Sequence, residues 1–114
     1  MRVAVVGTCA SGKSTIVAEL RRLGFDAFVV SQEHSGVRDL WNHQHPDVMV
    51  YLQVDYPTIQ ERRGAAWPQW IYDLQIGRLQ DAHEHTDVIV DTGELTVSET
   101  IRRIVAMIDQ QTQL

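Results

Sequence analysis

Disulfides, long apolar stretches and internal repeats are missing from this sequence. Cys9 is the single cysteine among 114 residues, which excludes an internal disulfide and favours a reducing, cytoplasmic setting. The apolar run at residues 3–6 is too short for the core of a signal peptide, and no stretch reaches the length of a membrane span. Because linkers and low-complexity tracts are also missing, we expect one domain over residues 1–114 without membrane contact.

An excess of basic residues is missing as well. The formal net charge is −5 at pH 7. A nucleic-acid polymer requires a basic face to neutralise its backbone, so we expect no such partner. A single nucleotide is compatible with this charge, because its few phosphates are neutralised locally.

One motif with a specific chemistry is present near the N-terminus. Residues 7–14, Gly-Thr-Cys-Ala-Ser-Gly-Lys-Ser, fit the phosphate-binding pattern G-x-x-x-x-G-K-[ST] at every fixed position, and we call them the phosphate loop. Gly7 and Gly12 admit backbone conformations that are closed to residues with a Cβ, so that successive N–H groups can point at a phosphate. Lys13 can reach the β- and γ-phosphate oxygens, and Ser14 can bind Mg²⁺. The positive end of the next helix faces the same anion.

The sequence around the phosphate loop has the context that the motif requires. Residues 2–6 predict a buried parallel strand, and residues 13–23 predict a helix that ends at Gly24. For Cys9 we expect the backbone N–H to bind phosphate, a reactive thiol being the alternative. The loop residues that we expect to contact the nucleotide are Gly7, Cys9, Ala10, Ser11, Gly12, Lys13, Ser14 and Thr15.

The rest of the chain alternates predicted strands and helices. Thr96 and Glu99 form a capping box ahead of an amphipathic final helix that begins at Val97. The order βαβαβααβα predicts the α/β class: a three-layer α/β/α sandwich with a short parallel sheet of about four strands. Further strands are predicted at 25–30, 48–54 and 87–91, and further helices at 36–43, 56–63 and 67–84.

The assembled pattern resembles a P-loop kinase of the nucleoside-monophosphate-kinase-like group in the P-loop NTPase superfamily. Residues 3–15 are similar to the start of such kinases. Residues 46–63 resemble the later strand and helix that lead into their lid, and residues 86–96 resemble their last strand and turn. The segment available for a phosphoryl acceptor, residues 31–46, and the lid turn around Gly64 are both short, so this chain would be a shortened member.

The resemblance implies an ATP-dependent kinase. Mg²⁺-bound ATP would donate its γ-phosphoryl group to a small-molecule or nucleotide acceptor lying over residues 31–41, and Lys13 would hold the phosphates. Thr92 and Gly93 would lie near the base. Arg62 and Arg63 would act as lid arginines that stabilise the transferring group. Their alternative role is structural, since cations complement the end of a helix.

The acidic residue that serves the metal has two candidates. Glu33 follows the strand predicted next to the first one and is preferred slightly, as a Mg²⁺ ligand through water or as a base. Asp55 follows the apolar strand at 48–54 and is the rival. With Ser14, the expected metal residues are Ser14 and Glu33.

A second function class stays open beside the kinase. The short acceptor segment also fits a nucleotide-binding module without efficient transfer, such as a sensor or a degenerate kinase relative. The N-K-x-D and D-x-x-G patterns of guanine-nucleotide switches are missing, so GTP has no support from the sequence. We expect Trp67 and Trp70 to cover the core, with stacking on a base or a homodimer contact as the alternatives. Paired histidines such as His83 and His85 fall on different helix faces and do not predict a metal site.

Overall fold

The computed structural model describes residues 1–112 and shows four strands and five α-helices in that part of the chain. Two short 3₁₀ turns, Gln32–His34 and Leu40–Asn42, lie between the second and third strands. None of these helices is long and apolar enough to cross a membrane. The elements are β1 (Arg2–Gly7), α1 (Lys13–Arg22), β2 (Asp26–Val29), β3 (Val48–Gln53), α2 (Tyr56–Arg63), α3 (Gln69–Arg78), α4 (Gln80–His85), β4 (Val88–Asp91) and α5 (Val97–Thr112).

All four strands are parallel and form one sheet in the order β2-β1-β3-β4. β1 is central, with Val3 opposite Val48 and Gly7 opposite Leu52 in the β1–β3 ladder. Because all four strands run in the same direction, their carboxyl ends meet at one edge of the sheet. The phosphate loop leaves β1 at this edge.

Two apolar layers cover the sheet because successive side chains of a strand point to opposite faces. Val3 and Val5 of β1 pack under α1 and α5, where Ile16, Leu20 and Ile104 are buried. Ala4 and Val6 face the other way. They lie in a second cluster with Tyr51, Leu79 and Ala82, on the side of α3 and α4. The predicted three-layer α/β/α sandwich with a four-stranded parallel sheet is therefore confirmed.

Several predicted boundaries are wrong. The second strand covers Asp26–Val29 rather than 25–30, and the helix predicted at 36–43 is only the 3₁₀ turn Leu40–Asn42. Buried Gln32 explains the second difference: its side chain donates to Val37 O and accepts from Trp41 N, which holds this segment in a loop. The helix predicted at 67–84 is two helices that meet at Leu79.

The core-facing side of α3 also differs from the prediction. Trp70, expected to cover the core, is 67% exposed, and Leu74 one turn further on is 43% exposed. Trp67 lies before the helix and is half-buried. The buried positions are instead Gln75 and Leu79. Gln75 is polar and Leu79 lies at the end of the helix, so the spacing of apolar residues does not predict either of them.

The start of α5 follows the sequence closely. Thr96 Oγ1 accepts from the Glu99 N–H, and Glu99 Oε1 accepts from the Thr96 N–H, both at 3.1 Å. The predicted capping box is thus confirmed. These hydrogen bonds from Thr96 hold the pKa of the Glu99 carboxyl below its usual range. Val97, expected in the apolar face, is 44% exposed, whereas Ile101, Ile104 and Ile108 are buried.

Candidate functional site

The phosphate loop leads from the end of β1 into the first turn of α1. Gly12, immediately before the helix, has a φ of 95°, in the left-handed region that favours glycine. Ala10 has a φ of 62°, which the sequence did not predict. These two positions bend the backbone around the N-terminus of α1, which carries its positive dipole end.

Gly7 is required for a different reason from the one expected. The φ angle of Gly7 is not in the left-handed region. A Cβ built on Gly7 would lie 2.7 Å from the backbone oxygen of Leu52 and 2.6 Å from Ser11 Oγ. Close packing of the loop against β3, rather than a left-handed conformation, therefore excludes a larger residue.

The side chain of Lys13 folds back over the phosphate loop. Its ammonium group donates to Gly7 O at 2.9 Å and to Thr8 O at 2.8 Å, and it pairs with Glu33 Oε2 at 2.5 Å. The Lys13 side chain is 11% exposed and that of Glu33 only 3%. Lys13 is also the only lysine of the sequence. The pair places a fixed cation and a fixed carboxylate at the mouth of the loop.

The two candidate acids have different surroundings. Glu33 follows β2, the neighbour of β1, and its second oxygen, Oε1, is buried without a hydrogen-bond partner among the described residues. Asp55 is exposed and caps α2 by accepting from the Thr58 N–H at 3.0 Å. Hydrogen bonds from Thr58 hold the pKa of Asp55 below its usual range. Of the two, Glu33 is the one that contacts the phosphate loop.

A cavity of about 320 Å³ lies at the mouth of the phosphate loop. It brings together most of the residues expected to hold phosphate and metal, and it adds His34. Ser14 and Thr15 are exposed in the first turn of α1 and border this space. The lining residues are Cys9, Ala10, Gly12, Lys13, Ser14, Thr15, Glu33, His34 and Arg63.

Arg62 joins the phosphate loop to the turn after β4. Its guanidinium donates to Ala10 O and to Thr92 O, both at 2.6 Å. It borders a second cavity of about 470 Å³, whose other lining residues are Ala10, Ser11, Gly12, Thr15, Ile16, Thr92, Leu95, Thr96, Val97 and Thr100. A planar guanidinium beside apolar side chains suits a flat, partly polar ring.

The remaining predicted residues lie close by but have other contacts. Arg63 lies over the ring of Trp67, with its guanidinium carbon 5.5 Å from the ring centroid. Thr92 Oγ1 is buried and donates to Ser11 O at 2.7 Å. The Gly93 N–H donates to Asp91 Oδ1 at 2.8 Å, and Gly93 does not line the second cavity.

Gln75 is a contact of the loop that the sequence analysis missed. Its Oε1 accepts from the Cys9 N–H at 3.0 Å, and its Nε2 donates to Cys9 Sγ at 3.2 Å. The Cys9 amide, expected to bind phosphate, is thus already paired in this structure. The only signal in the sequence was a glutamine one turn before buried Leu79, which does not by itself indicate a loop contact.

A third cavity of about 330 Å³ lies on the other side of the loop, under α3. Tyr51 is buried there, and this burial raises its pKa to about 12. Its ring meets that of His83 edge-on, with 4.9 Å between the centroids. Thr8 also lines the cavity, and its buried hydroxyl has no partner in the described part of the chain. Aromatic and apolar walls that also carry the carboxylates of Asp55 and Asp91 suit a small ring-containing molecule with polar groups.

Comparison with known proteins identifies the fold. No protein-family profile matches the sequence, and no curated protein sequence is significantly similar to it. Among solved structures, the chain is similar to the YorR protein from Bacillus subtilis, which was crystallised in complex with phosphorylated GDP. The TM-score is 0.68 at 12% sequence identity, and the match covers 100% of this chain and 99% of that chain. The likeness establishes the fold, which binds a nucleotide in the YorR protein.

Proposed function

We propose that this protein is a small P-loop kinase that binds a nucleoside triphosphate and transfers its γ-phosphoryl group to a small acceptor. The observation that carries the proposal is the ammonium group of Lys13, held by two loop carbonyls and by Glu33 at the edge where all four strands end. An anion entering the adjoining cavity meets this cation and the N-terminus of α1 together. The nucleotide bound to the YorR protein is consistent with this use of the fold.

The residues present fit Mg²⁺ as the companion ion. Ser14 and Glu33 line the same cavity, and Mg²⁺ prefers hydroxyl, carboxylate and phosphate oxygens. The unpartnered Oε1 of Glu33 could accept a hydrogen bond from a water molecule of the hydrated ion. When bound, Mg²⁺ neutralises charge on the β- and γ-phosphates.

The two arginines take separate roles in this proposal. Arg62 borders the second cavity and would stack on the nucleobase there, while its hydrogen bonds keep the loop and the β4 turn together. Arg63 lines the cavity at the mouth of the phosphate loop and would stabilise charge on the transferring group. In the transfer, an acceptor oxygen would bond to the γ-phosphorus, the bond to the β–γ bridging oxygen would break, and the nucleoside diphosphate would leave. The proton of a hydroxyl acceptor would pass to water.

The acceptor has two candidate locations. The first is the cavity of about 320 Å³ at the mouth of the phosphate loop, called the phosphate cavity below. Its lining residues Glu33 and His34 belong to the segment in which the sequence predicts the acceptor. The second is the aromatic cavity lined by Thr8, Tyr51, Tyr72 and His83. The second is favoured for a ring-containing alcohol such as a nucleoside, because its walls combine aromatic rings with polar side chains and the hydroxyl of Thr8 lacks a partner among the described residues.

A nucleotide-binding module without transfer is the second candidate function. The observation that favours it is the closed packing of residues 32–41, where Gln32 ties the backbone at Val37 and Trp41. These bonds would keep the segment expected to lie under an acceptor from rearranging to close over one. In such a module, the phosphate of a bound nucleotide would replace Glu33 as the partner of Lys13. The nucleotide would then change the surface that a partner protein contacts and would not transfer its phosphoryl group.

Transfer is the measurement that separates the two candidates. We expect Mg-ATP, incubated with the protein and a panel of nucleosides, nucleotides and small alcohols, to give a phosphorylated product with at least one acceptor. Mg-GTP is run in parallel, since the bound nucleotide of the YorR protein is a guanine nucleotide. Product is detected by mass spectrometry. Tight nucleotide binding without any product would favour the module.

The metal role of Glu33 is tested by comparison with Asp55. Glu33→Gln is expected to reduce the gain in nucleotide affinity that Mg²⁺ provides, by about tenfold, because a carboxylate oxygen is replaced by a neutral amide. Asp55→Asn is the matched control, since asparagine caps a helix as well as aspartate does. Calorimetric titrations with and without Mg²⁺ give the ratio for each variant. A larger loss in Asp55→Asn would transfer the metal role to Asp55.

A further inference from the structure

Three metal-binding side chains meet beside the phosphate loop, two of which have no role in the proposed transfer. Cys9 Sγ, a carboxylate oxygen of Glu33 and a ring nitrogen of His34 all lie within 4.8 Å of one another. Cys9 belongs to the loop, whereas Glu33 and His34 belong to the 3₁₀ turn after β2. The fold therefore brings together a soft thiol, an imidazole and a carboxylate from separate parts of the sequence.

The separation of Cys9 and His34 matches that of two ligands in a tetrahedral zinc site. Cys9 Sγ and His34 Nε2 are 3.6 Å apart. Zn²⁺ bonds at ~2.3 Å to sulfur and ~2.0 Å to nitrogen separate the two ligand atoms of a tetrahedron by about 3.6 Å. His34 Nε2 is 3.9 Å from Glu33 Oε2, about 0.5 Å more than the zinc geometry requires. The side chain of His34 is 59% exposed and has room to make this small movement.

The surroundings of two ligands also suit a metal ion. Glu33 is 2% exposed, and its Oε2 atom, the one 3.9 Å from His34 Nε2, is shared with Lys13. Its other oxygen, Oε1, is buried without a hydrogen-bond partner in the described residues. Gln75 donates to Cys9 Sγ at 3.2 Å, which fixes the position of the sulfur. Outer hydrogen bonds of this kind orient the ligands of metal sites.

We infer that Cys9, Glu33 and His34 form a site for a zinc-class dication, with the fourth coordination position open to water. Bound as a thiolate and a carboxylate, Cys9 and Glu33 would bring two negative charges to the ion, beside the positive charge of Lys13. A sulfur, nitrogen and oxygen set selects Zn²⁺ over Mg²⁺, which prefers oxygen ligands alone. The site is therefore distinct in chemistry from the Mg²⁺ position proposed for the nucleotide.

Occupation of this site would oppose nucleotide binding, an inference that rests on the proposed function. Glu33 is shared between Lys13 and the zinc ligands, and all three ligands line the phosphate cavity. A bound dication would draw Glu33 away from Lys13 and occupy space at the mouth of the loop. Zinc and the magnesium complex of the nucleotide would then compete, each weakening the other by the same factor.

The test uses the full chain under reducing conditions, without nucleotide. Calorimetric titration with ZnCl₂ is expected to show one ion per chain. Cys9→Ser and His34→Gln are expected to weaken zinc binding by about tenfold or more, since each leaves two ligands. His85→Gln is the matched control, because His85 lies in a second cluster with Asp81 and Glu84 and is similarly exposed. It should bind zinc as the unchanged protein does.

Cobalt gives an independent signature. Co²⁺ bound to the unchanged protein is expected to show a thiolate-to-cobalt absorption band that Cys9→Ser lacks. Equal zinc affinity in His34→Gln, loss of binding in His85→Gln instead, or cobalt binding without the thiolate band would each overturn the site. Zinc binding in a protein that binds no nucleotide would leave the site intact and remove only the competition. The proposed function would then fail separately.

Discussion

Gly7→Ala is expected to lower the free energy of unfolding by about 3 kcal/mol, at the upper end of the cost of inserting one methyl group into a packed interior. The added Cβ would lie 2.7 Å from Leu52 O, a backbone atom of the central β1–β3 ladder. A flexible side chain could move aside, but a paired strand can only shift as a whole. Urea unfolding followed by circular dichroism measures the change.

Gly77→Ala is the matched control for this prediction. Gly77 lies in α3, and a Cβ there has no heavy atom within 4 Å apart from its chain neighbours and its own helix backbone. Alanine in a helix is more stable than glycine by about 0.5–1 kcal/mol, so this change should stabilise the protein. If the two variants have similar stability, steric exclusion at Leu52 is not the reason for glycine at position 7.

Lys13→Met is expected to have the second large effect, a loss of about 3–5 kcal/mol of stability, because it leaves Glu33 without its cation in a buried position. Methionine preserves most of the apolar stem of lysine, so the change removes chiefly the ammonium group. The ammonium is held by two loop carbonyls as well as by Glu33, and these also lose their donor. The measurement is again urea unfolding at neutral pH.

The double variant separates stability from binding. Adding Glu33→Gln to Lys13→Met removes the uncompensated charge and should restore most of the lost stability. The affinity of the double variant for a nucleoside triphosphate should stay roughly tenfold to 100-fold below that of the unchanged protein, because the charge-assisted hydrogen bonds from Lys13 to phosphate are not restored. Recovery of both properties together would mean that Lys13 serves the fold rather than the ligand. Failure to recover stability would mean that the buried charge was not its cause.

The sheet could be predicted from the sequence because its signals are local. The strands are continuous apolar runs, and the loop and capping box have fixed spacings. The boundaries of the segment between β2 and β3 could not be predicted, since they depend on Gln32 bonding to residues five and nine positions further on. The spacing of apolar residues does not predict a hydrogen bond between a side chain and a distant backbone group.

The candidate site shows the same division. Spacing alone predicts the residues of the phosphate loop, and strand adjacency slightly favours Glu33 over Asp55. The contacts of Gln75 with Cys9 span 66 positions and were not visible in the sequence. The meeting of Cys9 with His34 likewise depends on how tightly two loops pack, which only the folded chain determines.

The pairing of β1 with β3 has a consequence for the order in which this chain folds. The first strand must wait for partners about 24 and 45 positions further along, and such distant parallel pairing forms slowly. The last rung of the longer ladder joins Gly7 to Leu52, directly before the loop amides. During synthesis the phosphate loop therefore leaves the ribosome well before β3 is available to pair with β1 and fix the conformation of the loop. We expect the nascent chain to become able to hold a ligand only after β3 has emerged and closed against it.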